Sequence, residues 1–264
     1  MRVIAKIVAA LCAACGATQA LAADLMVVGT GDGVDVLRAL AAGYIASHPN
    51  TNVVIPPSIG SGGGIAAVGG GREILARVAR PLTESERASG LVATPMFKLP
   101  SAFVVHRSAG VSGLTAQQLR DVFAGRITNW RDLGGADLRI KVVRREEADS
   151  TLNVLRQSMP GWKDLEITEK SKTAVTTQDC IDTVKSTEGA IGFGPFTRNL
   201  EMELVVLKID GAHPTDPGYP SAVVVSLVHK TATVTPEAET FIAYVRAASA
   251  RTVLVSLGGV PVTE

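Results

Sequence analysis

Three segments of this chain join small residues to the start of a helical pattern, and each could hold an anion. The first is Gly29-Thr30-Gly31-Asp32-Gly33, where Gly31, Asp32 and Gly33 lie closest to the helix that follows. The second is Ser61-Gly62-Gly63-Gly64. The third covers residues 145–151 and carries Arg145, Glu147, Asp149, Ser150 and Thr151. A helix N-terminus presents unpaired N–H groups and a partial positive charge, and glycine lets a ligand approach the backbone. An arginine adds a bidentate contact for an oxyanion. Asp149 has two readings that the residues leave open: an N-cap for the helix after it, or a contact to the ligand.

Bond-making chemistry finds no matching pattern. No G-x-S-x-G, H-E-x-x-H or Walker sequence occurs, and His48, His106, His213 and His229 are scattered without metal-ligand spacing. No catalytic residue, metal or cofactor is expected. Cys180 sits in an apolar helical pattern and reads as core filler. Trp130 and Trp162 read as packing residues, and Arg144 should point away if Arg145 points in.

The elements around these loops follow from periodicity. Strands are expected at 25–28, 52–55, 138–143 and 190–193. A helix follows each glycine loop, with Leu37, Leu40, Ala41, Tyr44 and Ile45 giving the first its apolar face. Thr115 with Gln118 is a capping box ahead of Leu119, Val122 and Phe123. The loop from 144 to 150 leads into a helix carrying Leu152, Leu155 and Met159, and another helix covers 179–186. Thr235-Pro236-Glu237 starts a further helix through Phe241, Ile242, Val245 and Ala248, ending at Gly258-Gly259. Two stretches resemble each other, Pro100–His106 and Pro220–Val225, and are expected to cross between two domains, with 210–218 a surface connection.

The chain has 264 residues, 46% hydrophobic and only 4% aromatic, which suits an α/β fold with aliphatic strands buried between helices. A net charge of +1 offers no basic stripe for nucleic acid. Residues 1–22 read as a cleaved export signal: Arg2 and Lys6, an apolar run from Ile7 to Ala14, then Ala20-Leu21-Ala22. Cys15 follows small residues, but Cys12 stands where a lipobox has leucine, so cleavage without lipid is expected.

Longer motifs carry a family resemblance. Ile59-Gly60-Ser61-Gly62-Gly63-Gly64, the run from Leu114-Thr115 through Val122-Phe123-Ala124-Gly125-Arg126-Ile127-Thr128-Asn129-Trp130, and Gly189-Ala190-Ile191-Gly192-Phe193 resemble the phosphate-binding receptors of bacterial ABC importers. The resemblance implies a type II periplasmic binding protein: domain I from 23–104 and 217–264, domain II from 105–216, and a ligand cleft between them. It also implies a periplasmic, monomeric receptor that binds phosphate or a similar oxyanion and delivers it to a membrane ABC permease. It matches Ser61, Arg145 and Thr151 to ligand-binding positions, and Arg80 to a loop that could face the cleft. The chain departs where Ala148-Asp149-Ser150 follows Glu147, placing a carboxylate where relatives have a neutral hydroxyl. A sensor or receptor for another ligand, or a phosphatase-type enzyme, are the competing readings.

Overall fold

A computed structural model of the chain describes residues 24–262. The expected export signal, with Cys12 and Cys15, lies outside the described residues.

The first half begins with β1 (Leu25–Gly29), whose aliphatic side chains are mostly buried. Gly29 has φ 130°, and a Cβ there would lie 2.0 Å from the carbonyl oxygen of Arg77, so the chain can leave this strand only through glycine. Helix α1 (Val34–Ser47) follows. Strand β2 (Val53–Val54), helix α2 (Gly60–Gly69) and strand β3 (Leu75–Val78) come next, and β2 and β3 flank β1 in parallel. Short helix α3 (Glu84–Ala88) is started by a Thr83–Glu86 capping box and leads to β4 (Leu91–Val105).

The middle of the chain supplies β5 (Gly113–Leu114), α4 (Ala116–Phe123), β6 (Lys141–Arg145), α5 (Ser150–Ser158), β7 (Lys172–Ala174) and α6 (Thr177–Ser186). It continues with β8 (Ala190–Pro195), α7 (Asn199–Glu203), β9 (Val205–Val206) and β10 (Lys208–Ile209). The chain returns through β11 (Ala222–Lys230), α8 (Pro236–Arg246), α9 (Ala248–Ser256) and β12 (Val260–Pro261).

The main sheet runs β2-β1-β3-β11-β4-β8-β6-β7, with β9 and β12 also paired to β4. Strand β4 belongs to both halves. Residues 91–100 pair with β11, and residues 101–105 pair with β8. The four apolar clusters among the described residues divide at the same place. Two use buried residues from 25–99 and 225–254, and two use buried residues from 102–209. At the divide the Ser101 and Ser221 hydroxyls are 2.8 Å apart and buried, and Ser158 at the end of α5 donates to Ser221 at 2.8 Å.

Several elements differ from the sequence reading. Strand β4 begins nine residues before Pro100, because Pro95 is accommodated at a register shift opposite Val225 and Ser226. Strand β6 starts at Lys141 rather than 138. The backbone before it pairs instead with the segment around Trp130: Trp130 N–H donates to Leu138, and Ile140 N–H to Thr128. Arg144 and Arg145 therefore end a strand and do not open the loop. The last helical pattern is two helices, broken at Ala247 in an extended conformation (φ −66°, ψ 153°).

Candidate functional site

The end of β6 places the Arg145 side chain, only 8% exposed, at the junction of the two halves. Its Nη2 donates to Asp149 Oδ2 at 2.5 Å and to the Val175 carbonyl at 3.3 Å. Its Nε and Nη1 are buried and have no hydrogen-bond partner among the described residues. Leaving such donors unpaired costs about 1–3 kcal/mol each, so a group with acceptors is favoured beside them. Asp149 takes the N-cap role of α5: one carboxylate oxygen accepts from Leu152 N at 3.0 Å, and its second oxygen pairs with Arg145. Arg144 points elsewhere, donating through Nε to Thr173 Oγ1 at 3.1 Å.

Helix α2 faces this arginine from the other half. Its N-cap residue Ile59 supplies no side-chain cap; Ser58 Oγ accepts from Gly60 N at 3.2 Å, which leaves the N–H groups of Ser61 and Gly62 without a side-chain cap. Gly62 has open space where a Cβ would stand. Ser61 crosses the divide: its hydroxyl lies 2.9 Å from that of Ser150 and accepts from Ala79 N at 3.1 Å.

Asp32 forms the floor and is fully buried. It accepts hydrogen bonds from Thr177 Oγ1 at 2.8 Å and Thr151 Oγ1 at 3.2 Å, both on the opposite half. Burial first, and then the charge of Asp149, push its carboxyl up to about 6, although the two threonines and Arg145 pull the other way. Gln178 Nε2 adds another crossing contact, donating to the Gly31 carbonyl at 3.1 Å.

A cleft of about 330 Å³ thus brings together Gly31, Ser61, Gly62, Gly63, Arg80, Arg145, Asp149 and Ser150. Arg80 lines it, but both its terminal nitrogens are held by Glu86 at 2.7 and 2.9 Å. That pairing holds the Glu86 carboxyl down at about 2. Asp32 and Thr151 lie beneath the cleft rather than on its wall. Gly33 is not in the cleft: with φ 75° it turns the chain into α1 against Phe97 and Val225. Glu147 points outward to Arg156 at 2.7 Å. Trp130 and Trp162 are buried in the core, as expected of packing residues, and burial raises the Cys180 thiol to about 11, which keeps it un-ionised.

Two residues escaped the sequence reading. Thr177 lies 145 positions from Asp32 and nothing local announces the pairing. Arg77, fully buried on β3, donates to the carbonyls of Val27, Thr30 (2.6 Å) and Pro56 (2.8 Å), and so ties the first glycine loop to the segment before α2. An arginine in an otherwise apolar strand was the available signal.

Comparison with known proteins agrees with this architecture. A family model described as a PBP superfamily domain matches residues 16–249. The phosphate-binding protein PstS of Bacillus subtilis (strain 168) is 28% identical over 183 residues, 68% of this chain and 59% of that protein. The aligned region thus spans about three-fifths of that relative. A Clostridium perfringens structure with bound phosphate, assigned as a phosphate ABC transporter substrate-binding protein, superimposes with TM-score 0.81 at 25% identity. It covers 91% of this chain and 100% of that one. An ABC-type phosphate transport receptor from Vibrio cholerae shares the fold at TM-score 0.65 and 24% identity, covering 91% and 100%. With a model matching most of its length and the α/β fold of these binding proteins, the chain belongs to the PBP superfamily.

Proposed function

We propose that this chain is an exported solute-binding protein that holds phosphate or a similar oxyanion between its two halves and presents it to a membrane ABC importer. The observation that carries this reading is Arg145, a buried guanidinium with two bare nitrogens at the wall of a cleft. A tetrahedral oxyanion offers acceptors to those nitrogens, to the Ser61 and Gly62 N–H groups at the start of α2 and to the Ser61 and Ser150 hydroxyls. Because these groups come from opposite halves, one ligand would bridge them, as hinge closure requires. The Bacillus subtilis and Clostridium perfringens proteins support phosphate as the first anion to try.

The test is thermal unfolding of the exported form with phosphate, arsenate, molybdate and sulfate. A ligand at a hundredfold excess over its Kd adds about 2.7 kcal/mol, which in a chain of this size raises Tm by about 5–10 °C. If none of the four raises Tm, the reading falls. No turnover of an aryl phosphate is expected, and sustained hydrolysis would move the protein to the enzyme class.

A further inference from the structure

We infer that the anion site takes an organic phosphate or phosphonate, whose apolar substituent lies in a groove running from Arg80 along α5. The inference rests on the oxyanion reading of the cleft and names the class of ligand. Arg80 stands between the 330 Å³ cleft and a groove of about 710 Å³ and lines both. Inorganic phosphate would fill the first and leave the second empty.

The groove follows one face of α5. Ser150 and Ser158, eight residues apart on the same face, each bond across to the other side: Ser150 to Ser61, and Ser158 to Ser221. Val154 lies midway between them, roughly 6 Å from each along the axis, and lines the groove. The facing wall is mainly apolar, with Leu82, Leu91, Val92 and Val224, and Arg87 and Ser226 also line the groove. Val92 and Val224 are 42% and 36% exposed, large apolar side chains that nothing among the described residues covers. An anion held in the cleft beside Arg145 would direct its substituent past Arg80 into the groove, whose apolar end would accept a chain of three or four carbons. A concave apolar chamber joined to a few convergent polar groups is the usual form of a small-molecule site.

The experiment is calorimetric titration of the exported protein with inorganic phosphate, methylphosphonate, butylphosphonate and phenylphosphonate. Affinity should rise at least about tenfold from methyl to butyl, as burial of three methylenes implies. Val224→Glu, which puts a charge in the groove, and Val154→Phe, which fills it, should each erase that gain and leave phosphate affinity within threefold. If phosphate binds but the alkyl series is flat or falling, or if the gain survives both variants, the inference is overturned and the oxyanion reading stands. If no compound binds, both fall. A rising series without phosphate binding would support the inference and exclude free phosphate as the ligand.

Discussion

Two buried arginines mark two regions of this molecule that have the same charge and opposite uses. Beneath the first glycine loop, Arg77 spends all three nitrogens on backbone carbonyls. Burial, with Arg38 adding to it, lowers its guanidinium to about 10, still protonated at neutral pH, and Asp32 partly offsets this. At the end of β6, Arg145 is held on one edge by Asp149 and left bare on the other. The saturated guanidinium of Arg77 fixes backbone, whereas that of Arg145 keeps donors that the proposed anion would use. Burial of a charge alone therefore does not mark a candidate site; unpaired donors beside a cleft do.

Breaking each region in turn should separate these uses. Arg77→Met strands the carbonyls of Val27, Thr30, Pro56 and Pro57 and removes a charge-assisted network, so we expect a stability loss of about 3 kcal/mol or more, measured by denaturant unfolding. A loss below about 1 kcal/mol would show that Arg77 is not what holds the loop. Arg145→Ala should cost about thirtyfold or more in oxyanion affinity, about 2 kcal/mol, by calorimetry, with Arg144→Ala nearly silent. Equal effects from the two would mean that the bare nitrogens are not the contact.

The comparison sharpens at the carboxylates. Asp149→Ser frees the second edge of Arg145 and removes a nearby negative charge, so phosphate should bind about tenfold tighter, 1.4 kcal/mol, and sulfate should gain at least as much. An affinity within threefold of the native value would reduce Asp149 to a helix cap. The smallest effect concerns Asp32. Its folded value near 6 lies above the ordinary 3.8, so its contribution to stability is present at low pH and lost as pH rises through 6. The ligand-free protein should therefore gain about 1 kcal/mol from this group between pH 7.5 and 5. Asp32→Asn should flatten that part of the profile, and an unchanged profile would assign the dependence elsewhere.

Local chemistry was legible in the sequence where local groups decide it. The capping box at Thr115 and Gln118, and Thr235 ahead of Pro236, start helices where the side chains predict. Arg145 rather than Arg144 faces the cleft because alternation along a strand sends neighbours to opposite sides. What the sequence hid depends on partners far along the chain. Glu147 looks equivalent to Asp149 until Arg156 draws it outward. Asp32 reads as a ligand contact in the first glycine loop, and only the threonines of the other half show it buried beneath the cleft. Pro95 and Pro100 concealed the length of β4, since a proline inside a strand ordinarily argues for its end.

The serine chain at the divide gives helix α5 a mechanical character. One end of the helix carries Ser150 beside Arg145, and the other is pinned through Ser158 to Ser221 and Ser101 on the two crossing segments. From pin to tip the arm is about 12 Å long, so a turn of about 10° at the pin sweeps the tip by about 2 Å. That is enough to make or break a hydrogen bond. A small torsion between β4 and the segment leading into β11 would thus be geared up at Ser150, and a tug on a ligand held there would be geared down into torque on the strands.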